Sequence, residues 1–213
     1  MQSQLATLAV DRAVVSGHDV PSSLGFDSIV VTSAQIFIKD VKLHSDVDSI
    51  GKDDHDGTIK TGPFVLTFDS SGTHIVTSVG IPPGTYDRIK FEIHKPDKND
   101  VDDQAVLANF PQFVSGNQTY TVVINGYTVM NGVRTYFTVS SHASYNITYK
   151  IKDTNLTDLD SIVLGANVTT KLAFEFDPRL VFKINGNLFD PRDSTHQSDI
   201  DKSINIAIVV VKL

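Results

Sequence analysis

The chain of 213 residues contains neither cysteine nor tryptophan. Without cysteine there are no disulfide bonds, thiolate metal sites, iron–sulfur clusters or cysteine nucleophiles. This absence leaves the compartment open, because cytosolic proteins and exported β proteins both manage without cysteine. No apolar run reaches the roughly 18 residues of a membrane-spanning helix, and no signal peptide is visible. Residues Met1 to Gln4 are what we expect where a leader peptide has been removed and a new initiator methionine added.

Positive charge is also scarce. The 18 basic and 25 acidic residues give a net charge of −7. A net-negative surface repels phosphate backbones, and the lysines are scattered singly instead of forming a patch. Hydrophobic residues make up 40% of the chain and charged residues 20%, which is typical of a globular protein. The composition therefore predicts a globular protein that does not bind nucleic acid.

Apolar and polar residues alternate with a period of two over most of the chain. Ile89, Phe91 and Ile93 alternate with polar and charged residues, and the same pattern returns at 145–151 and 168–176. This period is that of a β-strand with one buried and one solvated face. Further strands are expected over residues 5–10, 28–43, 64–68, 74–79, 118–130 and 133–140, with a closing strand over the β-branched run 204–211.

Turn-forming residues separate these runs. Asn131-Gly132 lies between two β-rich runs and predicts a tight hairpin with positive φ at both positions. Asn125-Gly126 is a rival turn. Turns at both sites would leave only residues 127–130 between them, so the sequence favours a β-bulge at Asn125-Gly126.

Helix is expected only as one short segment, from Ser194 to Lys202, and residues 95–110 are interpreted as a long loop. About nine or ten short strands with so little helix indicate an all-β fold. The predicted architecture is an antiparallel β-sandwich, Ig-like or transthyretin-like, with one short helix near the C-terminus. No repeat or long linker divides the chain, so residues 1–213 are predicted to form a single domain, with acidic loops near 44–57 and 95–105.

Four segments resemble the recurrent marks of a known family. Three are FDSIVVTSAQIFIKDVKL, GPFVLTF and IPPGTYDRIKFEIHK, and the fourth is FEFDPRLVFKINGNLFDPRDSTHQSDIDKSI, with two aspartate–proline pairs before a short helix. Together they resemble an uncharacterised family of exported bacterial lipoprotein domains with a transthyretin-like or carboxypeptidase-regulatory-like β-sandwich. The resemblance implies this fold and export, with the membrane reached only through a lipid anchor outside this sequence. It implies no catalytic residue.

The first acidic cluster lies in the segment HSDVDSIGKDDHDG, residues 44–57. Its carboxylates are those of Asp46, Asp48, Asp53, Asp54 and Asp56. Calcium takes six to eight oxygen ligands from a flexible loop, but no EF-hand register fits, since one places Ile50 at a ligand position and another ends on Pro63. The cluster is either a calcium loop of another type or a solvated acidic loop, and both interpretations stay open.

The second acidic cluster follows the strand at 89–93. Its carboxylates are those of Asp97, Asp100, Asp102 and Asp103. Two acidic clusters in loops suit cation binding in a calcium-rich medium. They equally suit solubility and the protection of strand edges against aggregation. Calcium is the one cofactor that these clusters suggest.

No catalytic signature is found. The seven histidines form no HxH or HExxH pattern, and neither a GxSxG elbow nor a glycine-rich phosphate loop occurs. His94 falls on the polar face of its strand, as a surface histidine does. His44 and His55 flank the first acidic cluster, so a transition metal is the alternative to calcium there. Four N-x-[ST] sequons occur, at Asn117, Asn146, Asn155 and Asn167.

These observations favour a non-catalytic extracytoplasmic protein of the cell envelope or surface, located in the periplasm, on the outer membrane or outside the cell. Its partner is then an envelope or extracellular ligand. The first alternative is a self-assembling filament or surface-layer subunit, in which a terminal strand, 4–10 or 204–213, completes the sheet of a neighbour. We expect the C-terminal strand to fold into its own core, because both of its faces are apolar. A carbohydrate-active enzyme is the remaining alternative, since any two acids can meet in space.

Calcium binding by the first acidic cluster can be tested through thermal stability. A ligand that binds only the folded state raises the melting temperature by mass action. If the cluster binds calcium, millimolar calcium should raise the melting temperature, and the double substitution Asp54→Asn, Asp56→Asn should abolish the rise. An unchanged melting temperature in calcium would leave the cluster as solvated surface.

Overall fold

The computed structural model describes residues 6–15, 28–44, 63–69, 78–81, 83–86, 88–150, 157, 161–165, 169–184 and 187–212. The strands are, in chain order, β1 Ala6–Val15, β2 Ser28–Ile38, β3 Asp40–His44, β4 Phe64–Asp69, β5 Ser78–Ile81, β6 Gly84–Tyr86, β7 Arg88–Ile93, β8 Val114–Ser115, β9 Gln118–Thr119, β10 Val122–Met130, β11 Val133–Ser141, β12 Tyr145–Lys150, β13 Ile162–Leu164, β14 Thr169–Phe176, β15 Lys183–Ile184, β16 Asn187–Leu188 and β17 Ile208–Lys212. The α-helices are α1 Val101–Asn109, α2 Pro178–Val181 and α3 Gln197–Ser203, and single turns of 3₁₀ helix cover Pro111–Phe113, Ser194–His196 and Ile204–Ile206.

The strands form the all-β, sandwich-like fold that the alternation predicts. The first sheet has the strand order β11-β10-β2-β4, the second has the order β17-β14-β1-β5, and a three-stranded sheet has the order β12-β7-β3. Every described pairing is antiparallel except that of β1 with β14, which is parallel. A tight turn joins the antiparallel neighbours β10 and β11, whereas β1 and β14 are far apart in the chain and need no turn between them.

The main core brings residues of all three large sheets into one buried cluster. Ile36 and Ile124 of the first sheet pack in it with Ile89 of β7 and Phe176 of β14. Ile89 occupies an apolar position of the period-two pattern, so the buried face of β7 is the one that the alternation predicts. The rings of Phe68 and Phe176 lie with their centroids 5.4 Å apart and join the first sheet to the second.

A further layer covers the opposite side of the first sheet at one end. We call this side, which bears Phe37 and Val123, the outer face. Both side chains pack with Leu107 of α1 and with Phe113 of the 3₁₀ turn that follows it. The rings of Phe37 and Phe113 meet edge to face at a centroid distance of 6.2 Å. At this end β2 is therefore buried on both faces, which explains its apolar run at 36–38.

The prediction of a loop over 95–110 is wrong, because α1 lies there. Asp100 has extended backbone, and its carboxylate accepts hydrogen bonds from the backbone N–H groups of Asp102 and Asp103. This is an N-cap, and two acids in the first turn complement the helix dipole. The aspartates have the composition of a solvated loop, yet they begin a helix whose Leu107 is buried.

The predicted hairpin at Asn131-Gly132 is confirmed. Asn131 and Gly132 have φ values of 50° and 76°, and Met130 pairs directly with Val133 across them. A two-residue turn with positive φ at both positions matches the twist of the flanking strands.

A β-bulge is present where Asn125-Gly126 predicts one, but the bulged strand is the partner strand β2. The register of β10 against β2 shifts between Asn125 and Gly126, with Thr32 as the extra residue on β2. Only glycine fits here without movement of its neighbours. A Cβ on Gly126 would collide with the carbonyl oxygen of Val30 and would lie 2.6 Å from Cζ of Phe137.

The short helix near the C-terminus is confirmed by the 3₁₀ turn Ser194–His196 and by α3, which follows it. A series of ring contacts connects this region to the first sheet. Phe137 of β11 packs on Phe182 at a centroid distance of 5.6 Å, and Phe182 packs on Phe189 at 6.1 Å. Phe189 lies 4.5 Å from the ring of His196. Aromatic packing therefore holds the C-terminal helical segment against the sheet.

The closing strand over 204–211 begins later than predicted. Ile204–Ile206 form a 3₁₀ turn, and β17 starts only at Ile208. Ile204 and Ala207 are buried, whereas Ile206 is 60% exposed. The helical turn points successive side chains in different directions, so the strand-like alternation predicted for Ile206 does not hold. β17 pairs with β14 of its own chain and also contacts β12.

Replacing Gly126 tests the close approach at the bulge. We expect Gly126→Ala to lower the free energy of unfolding by about 1–3 kcal/mol, because the added methyl group forces backbone and ring to move. Urea unfolding measures this loss. Gly84→Ala is the matched control, since the atoms nearest its Cβ are ring atoms of Tyr86 at 3.4 Å, an ordinary contact. Equal losses for the two variants would contradict the steric explanation.

Candidate functional site

Only the second predicted acidic cluster lies in the described part of the chain. The carboxylates of the first cluster lie outside it; they are Asp46, Asp48, Asp53, Asp54 and Asp56. Calcium binding by the first cluster therefore stays a prediction. The second cluster surrounds the start of α1.

Two acids of the second cluster share one lysine. Lys39, in the bend between β2 and β3, places its Nζ 2.7 Å from Oδ1 of Asp103 and 2.9 Å from Oδ2 of Asp100. Asp103 is fully buried, and its second oxygen accepts a hydrogen bond of 2.7 Å from the backbone N–H of Asp97. A buried carboxylate requires such partners, because an uncompensated charge in an apolar environment is costly. The ion pair thus fastens the start of α1 to the end of β2.

Lys39 and Asp100 stabilise each other's charged forms. The hydrogen bond from Lys39, helped by the backbone N–H of Asp103, holds the pKa of Asp100 below its ordinary value. Partial burial by itself lowers the pKa of Lys39, but the hydrogen bonds and charges of Asp103 and Asp100 together outweigh burial and raise that pKa. A calcium ion bound to Asp100 and Asp103 would have to displace the lysine.

The other two acids of this cluster face solvent. Asp97 is exposed, and its Oδ1 accepts hydrogen bonds from the backbone and side-chain nitrogens of Asn99. Asp102 is exposed in the first turn of α1. Beside Asp97 lies an open cleft of about 370 Å³, lined by polar side chains that include Lys95 and Lys98. Among the described residues, no group of three or more histidine and acidic side chains has the arrangement of a metal site.

A second polar cluster joins α3 to β11. Oγ of Ser141 donates to Oδ1 of Asp201 at 2.7 Å, and Nε2 of Gln197 donates to the same oxygen at 2.9 Å. Burial, together with the charge of Asp201, raises the pKa of Tyr145 nearby, so this phenol stays neutral. Among the described residues, no histidine base of the kind that activates a serine nucleophile bonds to Ser141. This cluster has the geometry of a structural joint.

The exposed end of the hairpin β10–β11 is a feature that the predicted motifs do not include. Tyr136 is 72% exposed, Val133 65% and Met130 53%. Three of the seven large apolar side chains exposed in the described part of the chain therefore lie on one hairpin. The sequence does carry a sign of this surface, because Arg134 is the only charged residue from 122 to 141.

Two aromatic rings and a cation lie together on the outer face of this hairpin. Tyr127 and Tyr136 are opposite each other in the register, with ring centroids 5.7 Å apart in an edge-to-face contact. The guanidinium carbon of Arg134 lies 4.8 Å from the centre of the Tyr127 ring, which is a cation–π arrangement. We call Tyr127, Met130, Val133, Arg134 and Tyr136 the hairpin tip.

A polar belt separates the hairpin tip from the end of the outer face that α1 covers. Nδ2 of Asn125 donates to Oγ of Ser33 at 3.2 Å, and Oδ1 of Asn125 accepts from Oγ1 of Thr138 at 2.8 Å. Oγ1 of Thr32 donates to the backbone oxygen of Asn125 at 3.2 Å. These bonds link three strands at the bulge. The outer face is therefore apolar at both ends and polar between them. Its uncovered end carries Tyr127, Arg134 and Tyr136, whereas Met130 and Val133 lie on the opposite face of the hairpin.

Comparisons of the chain with protein-family models, with curated proteins and with solved structures find no match. In the part of the chain that the structure describes, no helix has both the length and the hydropathy to cross a membrane.

Replacing Lys39 tests whether its ion pair holds α1 to the sheet. Lys39→Met leaves the carboxylate of Asp103 buried without its cation, so we expect the free energy of unfolding to fall by about 2–3 kcal/mol. Denaturant unfolding measures the loss, and amide hydrogen exchange should show faster exchange in α1. Lys90→Met is the matched control, because Lys90 lies 3.4 Å from Glu92 and is more exposed than Lys39. We expect it to change stability by less than about 1 kcal/mol.

The effect of Lys39→Met has a defined pH dependence. The pKa of Asp100 is lowered in the folded protein from an ordinary value of 3.8. Its ion pair therefore stabilises the fold above that value, and the stability is lost as the pH falls through the folded-state pKa. The stability difference between wild type and variant should shrink as unfolding is measured at successively lower pH, from neutral down to about pH 3. A constant difference would contradict an ionic role for Lys39.

Proposed function

We propose that the protein is a non-catalytic, extracytoplasmic domain of the cell envelope or cell surface that acts by binding through its hairpin tip. The observation that carries this proposal is the exposure of Tyr136 and Val133 on a hairpin whose one charge is Arg134. Tyrosine and arginine are among the residues that supply most of the binding energy at protein interfaces. Clustered exposed apolar side chains in a folded protein mark contact sites.

The extracytoplasmic location is supported by the resemblance of four segments to exported lipoprotein domains. The family fold that this resemblance implies is a β-sandwich, and the chain is an all-β, sandwich-like protein. In this proposal the domain is held at a membrane through a lipid anchor, and the ligand is a component of the envelope or its surroundings. Calcium is proposed as a structural ion of the loop 44–57.

A binding role is favoured over an enzymatic one because two of the described acids are paired with basic side chains. Asp103 is bonded to Lys39, and Asp190 to Arg192, whose hydrogen bonds hold the pKa of Asp190 below its ordinary value. A glycoside hydrolase needs two carboxyl groups that face a common cleft and are free to act on substrate. Asp103 instead fastens α1 to the first sheet, and Asp190 pairs with a residue two positions further along the chain.

A self-assembling subunit is the second candidate, and the topology of the first sheet favours it. Among the described strands, β11 is an edge of that sheet. The terminal strands are less suited to exchange than predicted, because β1 and β17 both pair with β14 of the same chain. Strand addition would therefore use β11 instead of a terminus.

Cosedimentation with purified envelope material tests the binding role of the hairpin tip. The probes are peptidoglycan sacculi and outer-membrane vesicles. We expect the wild type to bind at least one of them. The double variant Val133→Thr, Tyr136→Ser should bind with an affinity at least about tenfold lower, because two exposed side chains that contact the ligand are removed.

The matched control removes two apolar side chains elsewhere on the surface. Val101 and Val163 are 77% and 69% exposed, so Val101→Thr with Val163→Thr makes a comparable change in exposed apolar area. The control should bind as the wild type does. Absence of wild-type binding to both probes, or an equal loss in the control, would contradict the proposed function.

A further inference from the structure

We propose that a second copy of this chain binds along the free edge of β11 and continues the first sheet across a two-fold axis. The inference rests on the proposed function, because it uses the hairpin tip as the contact surface, and it names the partner as the protein itself. The backbone direction at this edge and the lack of charge along it carry the argument.

The backbone groups of every second residue of β11 point away from β10. In a two-residue hairpin the residues that flank the turn, here Met130 and Val133, form the first hydrogen-bonded pair. Bonded and non-bonded pairs then alternate along the strands. The register runs without a break along β11, so the N–H and C=O groups of Arg134, Tyr136 and Thr138 lie at the free edge. Such a row of groups is a template for another strand.

Of the residues that the structure describes, those of α3 cover the far end of this edge. Ser140 is the next residue in the series, and its carbonyl oxygen accepts a hydrogen bond of 3.2 Å from Nε2 of Gln197 in α3. This contact supports the outward direction inferred for the even-numbered groups. In the described part of the chain, the edge from Arg134 to Thr138 pairs with no strand. With respect to the described residues, the open stretch is therefore the five residues 134–138, which include Arg134 and Tyr136 of the hairpin tip.

The side chains along this edge suit a copy of themselves. Edge strands are ordinarily protected from pairing by lysine, proline or other charges, and β11 has only Arg134. Like charges placed directly opposite each other destabilise a strand pair. Two copies of this chain each carry −7, yet their β11 edges meet without any acid. Repulsion between acidic side chains of the two copies is therefore absent along this edge.

The register of the pair follows from the two-fold axis. An axis perpendicular to the sheet places residues of the same face opposite each other. With the axis at Thr135, Arg134 faces Tyr136 of the second copy; with the axis at Tyr136, Arg134 faces Thr138. An axis at Arg134 would oppose two arginines. We expect the axis at Thr135, because the arginine–tyrosine contact then adds to the backbone hydrogen bonds, as Arg134 already contacts Tyr127 within the chain.

Single-cysteine cross-linking tests this register. The chain has no cysteine, so one introduced thiol gives an unambiguous product. A residue opposite itself in an antiparallel pair has Cα atoms about 4.5–5.5 Å apart, within the range of a disulfide. We expect Thr135→Cys to form a disulfide-linked dimer under mild oxidation about tenfold faster than Val101→Cys or Val163→Cys. Equal rates for the three variants would overturn the inference.

Sedimentation equilibrium of cysteine-free protein tests the association without a covalent trap. The wild type should show a monomer–dimer equilibrium that depends on concentration. Thr135→Lys and Thr135→Glu should each weaken it about tenfold, because each places like charges across the axis. An equimolar mixture of the two variants should restore dimers. Circular dichroism confirms that each variant is folded.

Failure of self-pairing is distinguishable from failure of the proposed function. A wild type that stays monomeric at the highest soluble concentration, or a dimer unaffected by Thr135→Glu, would overturn self-pairing. A monomer that still binds envelope material through Val133 and Tyr136 would overturn self-pairing alone and keep the binding role. A dimer that binds no envelope material would keep self-pairing and overturn envelope binding.

Discussion

The ion pair between Lys39 and the buried carboxylate of Asp103 is the contact on which the outer layer of the molecule depends. α1 has nine residues, and a helix of that length is not stable alone in water. Packing on Phe37 and Val123, together with the ion pair of Lys39, supplies the stability that the isolated helix lacks. With α1 in place β2 is covered on both sides, and β10 and β4 pair along a strand whose position is fixed.

Signals that belong to a few neighbouring residues predict this fold well. Alternation places the strands and Asn131-Gly132 places the hairpin, because side-chain direction and positive φ are local properties. α1 is not recognisable in the same way, since Asp103 becomes a structural residue only through a lysine 64 positions earlier in the chain. The prediction that a strand begins at residue 204 is wrong for a related reason. The β-branched residues of the run 204–211 favour a strand, but the turn that continues from α3 overrides that preference.

The candidate site shows the same division between local and non-local information. The acids of the second cluster are conspicuous in the sequence. Their pairing with Lys39 through Asp100 and Asp103 is visible only in the folded protein. The hairpin tip has only one sign in the sequence, the long uncharged stretch around Arg134. Exposure of Tyr136 depends on where the core ends beneath the hairpin, which no short pattern encodes. The outer face therefore has one apolar end that α1 covers and one that is exposed in the described part of the chain.

The parallel pairing of β1 with β14 has a consequence for the order in which the protein is made. Thr7 pairs with Thr169, so β1 waits for a strand that is synthesised much later. Its antiparallel neighbour β5 is available much earlier. Pairing between such distant segments is slow, because a long loop has to close first. The first sheet, whose strands all precede residue 142, can form while the second is incomplete, and a chain interrupted late in synthesis would keep one sheet and lack the other.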